Sequence, residues 1–439
     1  GLTTVTNPGW PLKNEISNSG FDVWSNSTLE SVLDKVTNGD FDSGDTGWTK
    51  GTGWTIADQG GGDYEAVATS NEAWIYQPAA VTAGKLYRVT ITCSNYTDGS
   101  VAAFMYGGAP VTTKYGNTLT GTGTSTLVWE AVNTTIYIGA ATTTAGSDLR
   151  VDDITFEEVT PGISSGGLAF DSWYMDSGTA IQRQHNDGGT YTKDGSFYSL
   201  KATGNGKEIY WPTSNAFSLS DINSQRFAGR TITFGAWVKS DDGTYLRVRD
   251  GVTSNSDSTA HTGDNTWQWL EVTKEVSASA TLFSVAFVLD GTAANYISQP
   301  MLVFGSAIGS GNYSRPSGEI IWFEKADVQL NSYNNVTNDT DATVNLEAES
   351  NGKIPKGARA VNCMIRGKDS AVANGVGFNV TTSAGQGGIA VWPSVNNISG
   401  INQGWVPCDS NGDIYYNASA SGSDTLSGVY ITPQGVQLR

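Results

Sequence analysis

The sequence predicts an all-β protein of tandem β-sandwich domains behind an irregular N-terminal arm, and three observations carry that prediction. Apolar and polar residues alternate with a period of two in runs such as Arg88-Val89-Thr90-Ile91-Thr92-Cys93, as expected where one strand face is buried and the other wet. Turn-forming residues abound, with 53 glycines against 12 prolines, because glycine enters positive-φ conformations that other residues avoid. Aromatic side chains are plentiful, with 14 Trp, 18 Tyr and 14 Phe, enough to furnish several cores. At roughly 100–200 residues per domain, a chain of 439 residues holds roughly two to four domains.

Residues 1–37 read as the arm. Asn7-Pro8-Gly9-Trp10-Pro11 suits neither a central strand nor a helix. Ser27 is placed to cap a short helical turn reaching Lys35. The apolar anchors are Trp10, Phe21, Trp24, Leu29 and Leu33. Burying such a side chain is worth roughly 1.5–3 kcal/mol, so the arm needs a surface: its own first domain, a sister subunit or another protein. Trp10, Phe21 and Trp24 are the expected attachment residues.

A first domain spans 38–160, with strand-like runs at 72–77, 86–94, 101–106, 125–129, 135–138 and 149–157. Turn residues recur about every ten positions, the rhythm of a sandwich. Residues 160–167, Thr-Pro-Gly-Ile-Ser-Ser-Gly-Gly, have the composition of a linker. A second domain spans 168–313, with strands expected at 196–203, 230–240, 245–249, 268–276, 282–289 and 298–304. Gly20-Phe21-Asp22-Val23-Trp24 is echoed by Ala169-Phe170-Asp171-Ser172-Trp173, which with the shared strand rhythm points to two related modules. A third β domain spans 315–439, with strands expected at 319–324, 342–347, 360–366, 375–381, 388–392, 404–407, 413–417 and 428–434.

Charge narrows the function. Lys and Arg number 25 against 43 Asp and Glu, a net charge of −18. Such a surface repels phosphate backbones and anionic lipid, so no nucleic-acid partner is expected. No apolar run is long enough for a membrane span, and neither a secretion signal nor a lipid anchor is expected, since Val5 stands where the myristoylation pattern needs Ser or Thr. Three widely spaced cysteines are not a disulfide framework. Cys93 reads as a small buried hydrophobe; Cys363 and Cys408 are left open between a bridge and free thiols. With only His185 and His261, no Gly-x-Ser-x-Gly elbow and no metal-ligand spacing, histidine-based hydrolysis has little to work with. A carboxylate pair of the glycosidase kind is not excluded by inspection.

Asn38-Gly39-Asp40-Phe41, Trp48, Ile75-Tyr76-Gln77, Val81-Thr82-Ala83-Gly84-Lys85-Leu86-Tyr87 and Leu149-Arg150-Val151-Asp152-Asp153-Ile154 resemble the carbohydrate-binding modules of jelly-roll, galactose-binding-like fold. The second domain resembles a more divergent copy through Ile232-Thr233-Phe234-Gly235-Ala236-Trp237-Val238-Lys239. Its ending, Gln299-Pro300-Met301-Leu302-Val303-Phe304-Gly305 followed by Tyr313 and Arg315-Pro316, resembles endings of phage fibre and minor virion proteins. The resemblance implies tandem jelly rolls and a non-catalytic protein on the virion surface, as capsid decoration, head fibre or tail fibre. It implies other virion proteins as partners, self-association (a trimer is one option), and cell-surface glycans as ligands. The alternative is a carbohydrate-binding component of a bacterial glycan-degrading system. No cofactor is required, but a structural calcium ion at Asp40 and Asp153 is implied for the first jelly roll. Trp54, Trp74, Tyr76 and Tyr115 are the candidate glycan-stacking residues, although a strand Trp can equally serve a core.

Overall fold

The computed structural model describes residues 12–69, 73–107, 113–142, 144, 147–164, 166–185, 190–212, 225–316, 318–324, 330, 338–369, 377–382, 388–393, 395–420 and 426–438. They form two compact units: residues 29–160, and the described residues up to Thr28 together with those from Pro161 onward. The described residues are overwhelmingly β, and the helix described in full is the single turn Leu346–Glu349.

In the 29–160 unit, one antiparallel sheet runs Thr49–Lys50, Trp74–Ala80, Thr135–Thr142, Val101–Tyr106, Lys114–Tyr115. The other runs Trp54–Asp58, Tyr64–Ala68, Asp148–Ile163, Leu86–Asp98, Gly123–Glu130. Alternate residues from both sheets fill one core, with Ile75, Ala103 and Ile138 from the first meeting Val89, Leu127 and Val151 from the second. This is the aligned sandwich that period-two alternation dictates.

The second module repeats the plan strand for strand. One sheet runs Tyr174–Met175, Glu208–Trp211, Ser284–Val288, Tyr245–Arg249, Ser256–Asp257, with Gly167–Leu168 added at its edge. The other runs Ala180–His185, Tyr198–Thr203, Asn295–Phe304, Thr231–Lys239, Trp267–Glu275. The third domain is a smaller sandwich of two four-stranded sheets. One is Ile320–Trp322, Ser427–Gln437, Ala360–Lys368, Gly400–Pro407; the other is Asn338–Val344, Ile414–Ser419, Gly377–Thr381, Gly388–Val391.

The segment expected to be an arm is, over residues 12–28, part of the second module. Asn18 and Phe21 take positive φ of 53° and 57°, as do Asn38 and Phe41 at 55° and 56°. In each turn the Phe N–H donates to the Asn carbonyl, at 3.1 and 3.3 Å. In each the Asn amide reaches a later carbonyl, Val23 O at 2.9 Å and Gly44 O at 2.9 Å. Phe21 and Phe41 are then fully buried in their respective cores. The same entry turn occurs twice, and the copy belonging to the second module precedes the first module in sequence. The first module is therefore inserted into the second.

Two other expectations need correction, and the cysteine question left open is resolved. Residues 28–34 form a strand rather than a helical turn, because Thr28–Asp34 pairs with Asp148–Ile163, and sheet pairing overrides a weak local helix preference. The expected linker begins as buried strand: Thr160 through Ile163 belong to Asp148–Ile163 and are covered. Cys93, Cys363 and Cys408 are all free thiols. Cys363 lies fully buried in the third domain's core, and burial raises the Cys408 thiol to about 12.

Candidate functional site

The first module's sheet that begins with Thr49–Lys50 turns one parity of each strand to the core and the other outward. Ile75, Ala79, Ile136, Ile138, Ala103 and Met105 face inward, so their neighbours face out. The register places Thr49, Tyr76, Gly139, Phe104 and Tyr115 in one row across the sheet. Trp74, Ala141 and Ala102 form the row on one side, and Pro78, Tyr137 and Tyr106 the row on the other. At roughly 4.8 Å per strand spacing, the central row is about 19 Å long.

The rings on this face touch one another. Trp74 lies 4.8 Å from Phe104 and 5.9 Å from Tyr106, and Tyr137 lies 5.7 Å from Tyr76 and 6.2 Å from Tyr106. The open part of the face is made by the larger rings at its ends, with Gly139, Ala141, Ala102 and Phe104 buried beneath their neighbours. Gly139 is needed there: a Cβ would stand 2.0 Å from the Ile75 carbonyl oxygen. Tyr115 and Tyr137 are exposed, and Trp74, Tyr76 and Tyr106 half-buried. The four tyrosine hydroxyls form no hydrogen bond among the described residues. Partly exposed rings with polar tips on one sheet face suit a ligand having apolar faces and polar edges.

Of the four residues expected on a glycan platform, the structure brings together Trp74, Tyr76 and Tyr115. Trp54 is in the core, 4% exposed, with its indole N–H donating to Ala73 O at 3.0 Å; its strand turns it toward Ala66 and Ala68. Tyr106 and Tyr137 were missed; Phe104 shares their face but is fully buried. The signal for Tyr137 was local, since Ile136-Tyr137-Ile138 puts aliphatic and aromatic residues on opposite parities.

Asp40 and Asp153 are brought side by side by the Ile154 N–H bond to Gly39 O at 2.9 Å. Both are exposed, and Asp40 Oδ1 accepts the Asp42 N–H at 3.3 Å. Among the described residues no group of three His, Cys, Asp or Glu could hold a metal. Calcium takes six to eight oxygens, so these two side chains do not by themselves build its cage. Their neighbour Asp152 is raised to about 6 by burial, with Asp153, Glu65 and Asp63 adding repulsion.

Trp10 lies outside the described residues. Phe21 and Trp24 have no exposed surface with which to grip another protein. Their rings pack 5.3 and 4.9 Å from that of Phe170, so the two Phe-Asp-x-Trp motifs stack on each other. The buried carboxylate of Asp171 fastens the pair by accepting Ser25 N–H at 2.6 Å and Ser25 O–H at 2.5 Å. A second buried polar knot joins the second and third domains. Arg183 donates to Glu347 Oε1 at 2.8 Å and to Asp22 O at 3.0 Å, and Tyr198 O–H donates to the same carboxylate oxygen at 3.2 Å. His261 is 3% exposed, with Nε2 donating to Thr266 O at 2.9 Å and Nδ1 accepting the Gly263 N–H at 3.0 Å. Both its nitrogens are thus engaged in holding a loop.

No protein-family model matches the chain, and no curated protein matches it. Among solved structures it is similar to the N-terminal tandem CBM22-1–CBM22-2 domain from Paenibacillus barcinonensis, with 11% identity over 64% of this chain and 100% of that one, TM-score 0.27. It is similar to TmCBM61 in complex with β-1,4-galactotriose, with 17% identity over 29% of this chain and 99% of that one, TM-score 0.24. It is also similar to the enzymatically active domain of bacteriophage CBA120 tailspike protein 4, with 12% identity over 29% of this chain and 21% of that one, TM-score 0.24. TM-scores this low identify no ligand and no shared residue.

Proposed function

We propose that this chain is a non-catalytic glycan-binding protein whose first module seats a polysaccharide on the aromatic sheet face of Trp74, Tyr76, Tyr106, Tyr115 and Tyr137. The observation that carries the reading is the row geometry: exposed Tyr115 and Tyr137 and half-buried Trp74, Tyr76 and Tyr106 share one sheet face. A pyranose presents C–H groups on its faces and hydroxyls at its rim. The rings cover the first and the tyrosine hydroxyls meet the second. Covering about 60 Å² of apolar ring at ~25 cal/mol per Å² contributes ~1.5 kcal/mol per stacked side chain. Retardation of the chain in gels containing soluble polysaccharides tests this. Tyr137→Ala and Trp74→Ala should each weaken retention about tenfold; unchanged retention by every polysaccharide that binds the unaltered chain refutes the reading.

We propose display on a bacteriophage particle as the setting. It rests on the resemblance carried by residues 299–305, Tyr313 and Arg315-Pro316. Immunogold labelling of purified particles tests it, and a chain recovered only among secreted glycan-degrading proteins overturns it.

A further inference from the structure

The third domain turns a nearly uncharged, apolar sheet face to solvent. In its sheet of Ile320–Trp322, Ser427–Gln437, Ala360–Lys368 and Gly400–Pro407, the residues Ile321, Val361, Cys363, Ile365, Val406 and Val436 face the core. Their neighbours therefore face out. The register sets Trp322, Gly435, Asn362 and Trp405 in one row across all four strands. Ile320 and Pro407 stand at the ends of the next row, and Ile401 lies opposite Arg366 farther along. Ile320, Trp322, Trp405 and Ile401 are 47%, 55%, 36% and 64% exposed. The two indole rings lean toward each other over the strands between them and stand 5.6 Å apart. Gly435 leaves the room, since a Cβ there would meet the Trp322 ring at 2.9 Å.

We propose that this face is where a second copy of the chain docks, sheet against sheet about a two-fold axis. Charge selects that partner. Residues 370–408 contain no Asp, Glu, Lys or Arg, although charged residues make up 15% of the chain. The cations on the face, Arg366 and Lys368, sit at one end, away from the tryptophan row. A chain of net charge −18 repels its own copies over most of its surface; here they meet without that repulsion. An acidic or basic partner finds no charge beside the rings with which to pair.

The polar groups of the face match their own kind. Gln403 Nε2 donates to Asn362 Oδ1 at 2.9 Å and to Gln434 Oε1 at 2.8 Å. Amides carry both donors and acceptors, so this cluster bonds the same cluster of a copy, as a contact between identical patches requires. A two-fold axis through the tryptophan row sets ring against ring and carries the Arg366 ends of the two copies to opposite sides. Strands spaced ~4.8 Å apart and rising ~3.3 Å per residue give four strands a footprint of roughly 500 Å² per copy. The pair then covers about 1,000 Å², the low end for a biological interface. The dimer is accordingly expected to form in the micromolar range.

Sedimentation velocity of the full chain in reductant tests the dimer. Its weight-average mass should climb from that of one chain, 46.4 kDa, toward that of two across about 1–200 μM. Trp322→Glu seats a charge in the central row and should weaken association about tenfold or more. Ile320→Glu repeats the test should Trp322→Glu impair folding. Trp392→Glu is the control: that ring is 60% exposed but lies over Gly377 on the domain's other sheet, so association should be unaffected. Added salt should preserve or strengthen the dimer, because it screens the repulsion between acidic copies. A single-chain mass at every concentration overturns the inference. So does a loss on Trp392→Glu equal to that on Trp322→Glu, dissociation by salt, or a mass that levels at three copies. A single-chain mass combined with polysaccharide retention that Trp322→Glu abolishes would reassign the face to a glycan.

Discussion

Glu347→Ala probes the joint between the second and third domains. The Arg183 side chain is 0% exposed and that of Glu347 2% exposed, so removing the carboxylate strands a guanidinium in the interior. Its bond to Asp22 O, at 3.0 Å, offers a dipole in place of a charge, and the Tyr198 hydroxyl loses the carboxylate oxygen that accepts from it. Breaking one side of a buried pair costs about 3–5 kcal/mol, whereas replacing both partners by apolar groups of similar volume is often near neutral. At roughly 2–4 °C per kcal/mol for a unit of this size, Glu347→Ala should lower the melting temperature of that unit by roughly 6–20 °C. Arg183→Met/Glu347→Leu should recover most of the loss. Differential scanning calorimetry of the three variants decides the matter. A shift under about 2 °C for Glu347→Ala, or a double variant no better than the single one, would falsify the assignment of this pair as a buried, mutually dependent joint.

The first module should lose stability as pH rises. Asp152 has its carboxyl raised to about 6, so the folded state holds a proton that the unfolded state has released between about pH 4 and 6, and stability falls across that window. Asp152→Asn should raise the melting temperature at pH 8 and change it little at pH 4; an equal shift at both values refutes the argument. Three free thiols should be titrated by a thiol reagent in denaturant, and a reductant should leave the melting temperature unmoved. Gly139→Val should weaken polysaccharide retention and destabilise the first module together, since its Cβ collides with the Ile75 carbonyl; a wild-type melting curve argues against the close approach. Deleting residues 1–28 should leave residues 29–160 folded but expose the rings around Phe170, seen as dye binding and early proteolysis of the remainder.

Strand positions were legible because alternation and turns are local properties. In the third domain the expected runs 360–366 and 388–392 correspond to Ala360–Lys368 and Gly388–Val391. Strand parity was harder. Trp54 and Trp74 both open strand-like runs, and only the pairing register shows that one faces Ala66 while the other faces out. In Trp74-Ile75-Tyr76 every residue is apolar, so a period-two reading sees no preferred face; Tyr137, flanked by two isoleucines, gave the parity that would have settled it. Residues 28–34 misled because Leu29, Glu30 and Leu33 favour a helix locally, and their strand exists only through a partner more than a hundred residues away.

The insertion was visible in the sequence but read as something else. The echo between Gly20-Phe21-Asp22 and Ala169-Phe170-Asp171 was taken to mark the starts of two successive modules. The nearer relative of residues 18–22 is Asn38 to Asp42, which makes the same positive-φ turn around an Asn amide. Sequence order hides this because the second module's entry turn lies before the first module begins. The bonds that fasten it span the insertion: Ser25 to Asp171 joins positions 146 apart, and Asn18 to Asp171 O positions 153 apart. Loop closure grows only logarithmically with the length enclosed, so the long excursion is tolerable. The 29–160 unit is one uninterrupted stretch of chain, whereas the second module draws on both flanks of that stretch. The apolar residues of 12–28 are therefore explained within the chain itself, which removes the reason for assigning Phe21 and Trp24 to an external partner. The two corresponding sheets differ on their outward parity. There the core imposes no constraint, and one plan carries stacked rings in one module and compensated charges in the other.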